Sequence, residues 1–337
     1  MTSSESVITT TDYHTAGEPF RIVTSGVAPI PGTTILQKRR YAAEHLDQVR
    51  QLLVFEPRGH ADMYGCFVTD AEGAGADLGV VFFHNAGYST ACGHGTIALV
   101  TWALESGRLP RREGANRVVV DAPSGRLETV AMVEGDKVSG VRFRNVPAYV
   151  HAANVSVDLA GERLSCDIAF GGAFYASVEA ADVRCEVVPR DLPKLIELGR
   201  TIKNRIEATT EVIHPVVPEL RDVYGVIFFD DLGSKEGRLH QRNVTVFADG
   251  EVDRSPCGSG TSARLAILDA KGQLPTGSPL VHDSIIGTTF VGRVVGNTSV
   301  DGRPAVTTEV EGSAHITGHH QFVLDSDDAL GTGFLIR

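Results

Sequence analysis

Residues 92–110 read CGHGTIALVTWALESGRLP, and residues 257–275 read CGSGTSARLAILDAKGQLP. Cys, Gly, Gly, Thr, Ala, Gly, Leu and Pro recur in register without a gap, at an offset of 165 residues. The likeness extends upstream, where an apolar run opening with Tyr64-Gly65 precedes the first cysteine and one opening with Tyr224-Gly225 precedes the second. Downstream, Gly125 and Gly287 stand in comparable places before Val-rich and Thr-rich runs. A period near half the chain is too long for a solenoid repeat and points to duplication into two similar domains related by a pseudo-dyad. Within each half, short β-branched and aromatic runs bounded by Gly, Pro and Asp read as strands, among them residues 80–84, 117–120, 141–143 and 226–229. Each cysteine then opens a run with few helix breakers, residues 96–104 and 261–270. Gly107 and Gly272 close these runs where a glycine terminates a helix. Residues 192–206 form a further helix candidate and residues 44–53 a weaker one. The expected fold is α+β, with two pseudo-symmetric sheet-and-helix domains at 1–150 and 151–324 and the boundary near residues 148–154. A last strand, 332–337, is a candidate to return to the first domain, so that 325–337 would complete it.

Composition narrows the function. At 337 residues, 42% hydrophobic and 22% charged, the chain is long enough for two globular domains. A net charge of −11 argues against nucleic acid or an anionic membrane as partner, since both are usually met by clustered Lys and Arg. The first residues, MTSSESVITTTDYHTAG, lack the basic start and apolar stretch of a signal peptide. The longest apolar runs, such as residues 78–83, are far short of the ~20 residues a membrane helix needs. Five cysteines at irregular spacing suit free thiols in a reducing compartment better than a secreted disulfide framework. A cytoplasmic enzyme acting on a small molecule is therefore expected.

The repeated cysteines carry the chemistry. A helix N-terminus offers unpaired N–H groups and a partial positive charge, so it binds carboxylates and stabilises thiolates. Glycines just after the cysteine let a substrate approach the backbone closely. A thiol there is expected to titrate below its usual pKa of ~8.5. Two such thiols facing each other across a pseudo-dyad suggest a base on one face of a flat carbanion and an acid on the other. Cys92 and Cys257 could instead be small buried hydrophobes, the common fate of a free cysteine. Recurrence before Gly-x-Gly-Thr in both halves speaks against that. Cys66, Cys166 and Cys185 have no such context and are assigned to packing or surface. His94 is expected to contact substrate, with helix-start packing as its alternative. Asp253, four residues before the second thiol, is expected to bond a substrate ammonium, with a turn acid as its alternative.

Two rival readings weaken on inspection. Residues 93–98 and 258–263 both fit G-x-G-x-x-A, a degenerate dinucleotide fingerprint, but no acidic residue about 20 positions on and no strand–helix alternation supports a nucleotide-binding oxidoreductase. A metal site would combine Cys92 and His94 with some of His14, His60, His84 and Cys257, a spacing that matches no standard ligand pattern. His315, His319 and His320 read as loop and strand-end residues. No metal and no cofactor is expected.

The motifs also resemble a known family. Residues 87–95, GYSTACGHG, and 253–261, DRSPCGSGT, look like the two signatures of the proline racemase family. The resemblance extends to residues 14–19 (HTAGEP), 56–60 (EPRGH) and 284–288 (SIIGT), and so spans nearly the whole chain. It implies the fold shared with diaminopimelate epimerase, with the site in the cleft between two similar domains. By the same resemblance, Cys92 and Cys257 are the acid/base thiols, and amides at Gly93, His94, Gly258 and Ser259 cradle the substrate carboxylate. Asp253 and His94 would hold the ring nitrogen. Preorganised donors at the carboxylate would stabilise the carbanion in place of an organic electron sink. The family's activities are proline racemase, 4-hydroxyproline 2-epimerase and trans-3-hydroxyproline dehydratase. Dedicated dehydratases commonly replace one cysteine by Ser or Thr, whereas this chain keeps both. Residues 57–65 and 88–90 look more like the 3-hydroxyproline branch. Trans-3-hydroxy-L-proline, undergoing 2-epimerisation, dehydration or both, is the expected substrate, and a homodimer the expected assembly. A catalytically dead amino-acid-binding protein is the remaining alternative, and loss of a cysteine would have favoured it.

Overall fold

The structure is a computed structural model and describes residues 7–159 and 161–336. Two helices, α3 (Gly93–Glu105) and α5 (Gly258–Ala270), organise it. Every residue of α3 from Gly93 to Leu104 and every residue of α5 from Gly258 to Leu268 is buried. A helix without a polar face must be enclosed on all sides, and here strands do the enclosing.

In the first half these are β1 (Ile8–Thr15), β2 (Glu18–Ser25), β3 (Tyr64–Thr69), β4 (Leu78–His84), β5 (Gly114–Ala122), β6 (Gly125–Glu134) and β7 (Lys137–Arg144). Helices α1 (Ile35–His45) and α2 (Asp47–Val54) cross from β2 to its parallel neighbour β3, and α3 crosses from β4 to its parallel neighbour β5. The second half begins with β8 (Tyr149–Leu159), β9 (Glu162–Phe170) and β10 (Phe174–Glu179). Helix α4 (Leu192–Thr209) then crosses to β11 (Val223–Lys235), which is parallel to β10. After β12 (Arg238–Phe247) and the short β13 (Glu251–Asp253), α5 crosses to β14 (Pro279–Ser284), parallel to β12. The chain ends through β15 (Thr289–Val300), β16 (Arg303–Gly312) and β17 (Ala314–Phe322).

The pairings repeat element for element. The order β1-β2-β3-β4-β5-β6-β7 around α3 matches β9-β10-β11-β12-β14-β15-β16 around α5, with parallel joints at the same two places. Antiparallel pairing of β7 with β16 joins the halves. Each half is then closed by a strand following the other's last: β8 pairs with β9, and β17 pairs with β1. The expected division at residues 148–154 falls at the start of β8.

Three local expectations change. Residues 44–53 are not one helix but the end of α1 and most of α2, broken at Leu46 (φ −119°, ψ 12°). A Thr34–Gln37 capping box starts α1 earlier than the apolar pattern suggests. Residues 332–336 form no strand, meeting the first half through a Glu56–Phe334 bridge and a Thr332–Gln51 side-chain hydrogen bond of 3.1 Å; residue 337 lies outside the described residues. The returning strand is β17, whose polar reading AHITGHHQF concealed it; His315, His319 and His320 lie within that strand. Gly107 and Gly272 adopt φ of +74° and +68° just beyond α3 and α5, as a helix-terminating glycine does. Among the described residues no helix is long and apolar enough to cross a membrane.

Candidate active site

The N-termini of α3 and α5 meet head to head. A Cβ added to Gly93 would lie 2.5 Å from the Cα of Gly258, and one added to Gly258 would lie 2.8 Å from the Cα of Gly93. Only glycine lets the backbones approach so closely, which is why both cysteines are followed by it. Cys92 caps α3, its Sγ accepting from the Gly95 amide at 3.2 Å. Cys257 precedes α5 with φ +60°, a strained conformation for a side-chain-bearing residue. It is held there by Ser255, whose hydroxyl accepts the Cys257 amide at 3.1 Å, and by Asn243 and Thr261, whose side chains both donate to the Pro256 carbonyl at 3.1 Å.

Both thiols are buried, at 4% and 5% exposure, and line one cavity of about 10 Å³ with Gly93, His94, Asp253 and Ser259. Six of the seven expected site residues are thus gathered on one wall. Gly258 is the exception: it packs against Gly93 where the two helix ends meet. His94 links the halves. Its Nε2 stands 3.4 Å from the Cys92 sulfur, and its Nδ1 stands 3.5 Å from Oδ2 of Asp253. The other carboxylate oxygen of Asp253 accepts from the amide (2.8 Å) and hydroxyl (2.7 Å) of Ser255. The amides of Gly93, His94, Gly258 and Ser259 precede the first bonds within each helix, Thr96 to Cys92 and Thr261 to Cys257.

Burial raises the Asp253 carboxyl, but the charge and hydrogen bond of His94 and the bonds from Ser255 outweigh it and hold it below its ordinary value. The thiols behave otherwise, and the expected lowering is overturned. Burial pushes Cys92 well above the usual thiol range and Cys257 up to about 12; the neighbouring Asp253 adds to both. The amides of Gly95 and Gly260 pull the other way without prevailing. In a dry cleft the desolvation of a thiolate exceeds what a helix end returns.

The remaining wall was not foreseen. It consists mainly of Tyr64, Tyr175, Tyr224, Thr245 and Phe247. The Tyr64 and Tyr224 hydroxyls lie 3.0 Å apart across the halves, Tyr64 also donates to Ser89, and Tyr175 pairs with the Ser259 hydroxyl at 2.7 Å. Burial raises all three phenols well above their usual range. Thr245 is buried on this wall beside the Cys257 thiol, whose pKa its hydroxyl lowers. The repeat held a signal for Tyr64 and Tyr224, which recur before glycine in both halves; Tyr175 and Thr245 carried none. Beyond Tyr224 a second cavity of about 310 Å³ opens between Arg39, Tyr88 and Ser89 of the first half and Lys203, Glu207 and Asp222 of the second.

Comparison with known proteins agrees with this geometry. The family model described as proline racemase matches residues 10–335. A trans-3-hydroxy-L-proline dehydratase of Bacillus cereus is 46% identical over 330 residues, covering 98% of each chain. A 3-hydroxyproline 2-epimerase of Burkholderia multivorans is 46% identical over 331 residues, again covering 98% of each. Among solved structures, a hydroxyproline epimerase from Agrobacterium vitis with bound trans-4-hydroxy-L-proline superposes with a TM-score of 0.92 at 30% identity, covering 99% of this chain and 97% of its own. A phenazine biosynthesis protein of the PhzF family from Bacillus anthracis, 13% identical, shares the fold at a TM-score of 0.57. With a repeat that places one cysteine at each of two facing helix ends and relatives matching from end to end, the chain belongs to the proline racemase family.

Proposed function

We propose that this protein moves the Cα proton of trans-3-hydroxy-L-proline, by 2-epimerisation, dehydration or both, in a cleft between two domains. The observation that carries the proposal is the pair of cysteines heading two facing, repeated helices on one cavity. The substrate carboxylate sits against the amides of Gly93, His94, Gly258 and Ser259, at two converging positive helix ends. The ring ammonium sits beside Asp253 and His94. The ring ammonium and the positive helix ends favour the thiolate that burial and Asp253 disfavour, so arrival of the cation and thiol activation go together.

The stereochemistry divides the labour between the thiols. In trans-3-hydroxy-L-proline the Cα–H and the C3–OH lie on the same ring face. The Cys92 thiolate takes the Cα proton, leaving a carbanion stabilised at the carboxylate by preorganised donors. Expulsion of hydroxide forms the Cα–Cβ double bond, and the same thiol, already on that face, returns its proton to the departing oxygen as water leaves. Alternatively, the Cys257 thiol protonates Cα from the opposite face and completes inversion, ending as the thiolate. No cofactor or metal enters either sequence.

The 4-hydroxyproline alternative draws on the Agrobacterium neighbour, but that likeness is 30% against 46% for the 3-hydroxyproline relatives. A homodimer and a cytoplasmic location complete the proposal. The experiment offers L-proline, trans-4-hydroxy-L-proline and trans-3-hydroxy-L-proline separately in D₂O, after exhaustive EDTA treatment, and follows Cα exchange and products by NMR. The expected result is turnover of the 3-hydroxy compound above the other two, undiminished by chelation. Preferential turnover of either other compound would reassign the substrate, and metal-restored activity would end the two-thiol reading.

A further inference from the structure

Strand β13 has three residues, yet each of them, and the residue that follows, is bonded to the other half of the molecule. Glu251 Oε1 lies 3.7 Å from Nδ1 of His84, and the Val252 amide donates to Oδ1 of Asp62 at 3.3 Å. Asp253 meets His94, as described above. The Arg254 amide donates to Glu18 Oε2 at 2.7 Å, and its guanidinium reaches the same oxygen at 2.9 Å. That guanidinium also contacts the Asp62 carboxylate and donates to the Asp62 carbonyl, both at 3.3 Å. Glu18 and Asp62 are buried, Glu18 completely. The motif HTAGEP, which the site left unexplained, therefore meets the site's own motif DRSPCGSGT at this contact.

We propose that Glu18 and Asp62 are positioning residues that grip Arg254, so that Asp253 and Cys257 reach their working places only when the two halves are closed. The grip falls on both sides of the functional carboxylate. The amides of residues 252 and 254 are fixed by acids of the first half, leaving Asp253 between them no freedom to turn. The loop from Asp253 to Cys257 is only three residues long and is tied back to Asp253 by Ser255, so it carries this constraint to the thiol. A buried carboxylate is tolerated only beside a partner, and Arg254 supplies one for Glu18 only in the closed arrangement. Closure thus makes the Glu18–Arg254 contact in the same movement that builds the substrate site.

The test rests on the proposed reaction for one of its two measurements. Opening exposes the thiols to an alkylating reagent and lets substrate in. Breaking a contact present only in the closed form therefore raises the alkylation rate of the free enzyme if that enzyme is mostly closed, or raises the KM for trans-3-hydroxy-L-proline if it is mostly open. The product of the two relative changes is expected to rise ten- to a hundredfold in Glu18→Gln and in Arg254→Gln. Arg254→Lys, which keeps a cation, should recover part of it. A purely structural role would lower the melting temperature without moving this product, and an unmoved product in both variants overturns the proposal. Should Glu18→Gln fail to fold, Asp62→Asn, which weakens the contacts to the Val252 amide and the Arg254 guanidinium while leaving Glu18 in place, undergoes the same two measurements. Alkylation needs no substrate, so an enzyme inert toward hydroxyproline whose alkylation rate rises in these variants keeps the grip and loses the reaction.

Discussion

Cys92 and Cys257 were legible as a pair because no packing requirement explains a cysteine recurring in register ahead of Gly-x-Gly-Thr. Their protonation state was not legible. A helix end can be read from sequence, whereas the dryness of the cleft comes from tyrosines and a phenylalanine on strands of both halves. With burial holding both thiols above the usual range, they are neutral in the free closed enzyme at pH 7, and their thiolate fraction grows only as pH rises. Thiolate ultraviolet absorbance attributable to the pair, taken as the difference from the double Cys→Ser variant, should be negligible through pH 8. A plateau reached by pH 7 would reinstate the helix-end expectation. Asp253 is the ionised partner, held so by His94 and Ser255. Asp253→Asn should cost ~1.5 to 3 kcal/mol in binding a charged ring nitrogen, about a ten- to hundredfold rise in KM. An unchanged KM would return Asp253 to the role of a turn acid.

At the scale of the elements, α3 and α5 were readable from the two runs between cysteine and glycine, and several strands from their β-branched runs. What escaped was governed by tertiary contact. Strand β17 is polar along its length and is a strand because β1 offers it an edge; α1 starts at a cap on Thr34 and breaks at Leu46, neither of which hydrophobic periodicity reports. The head-to-head helix contact makes a steric prediction. Gly93→Ala would drive a Cβ into the backbone of Gly258, an overpacking typically costing ~1 to 3 kcal/mol. Because relief comes from separating the two cysteine-bearing ends, activity should fall by more than the stability loss accounts for. Gly107→Ala, in open space beyond the helix, should cost stability through its positive φ and leave kcat unchanged. Equal losses of activity in the two variants, measured beside their melting temperatures, would remove the helix contact from the mechanism.

For the whole molecule, duplication explains the architecture: two matching sets of strands, each around one helix, with the repeated ends facing each other. A cavity of about 10 Å³ has room for about one water, so a five-membered ring reaches the thiols only when the halves part. A saturating proline-like ligand should accordingly slow alkylation of Cys92 and Cys257, and undiminished alkylation under saturation would place the ligand elsewhere. The central claim is that two thiols act on opposite faces of one carbon, and the most direct measurement is NMR of trans-3-hydroxy-L-proline in D₂O with Cys92→Ser and Cys257→Ser. Each substitution should reduce 2-epimerisation by about 10²- to 10⁴-fold, because a hydroxyl is a far poorer acid and base near pH 7. Cys92→Ser should also abolish dehydration. Cys257→Ser should still exchange Cα or eliminate water from the L isomer while forming no D-configured epimer. Epimerisation at the wild-type rate in both variants would contradict the account.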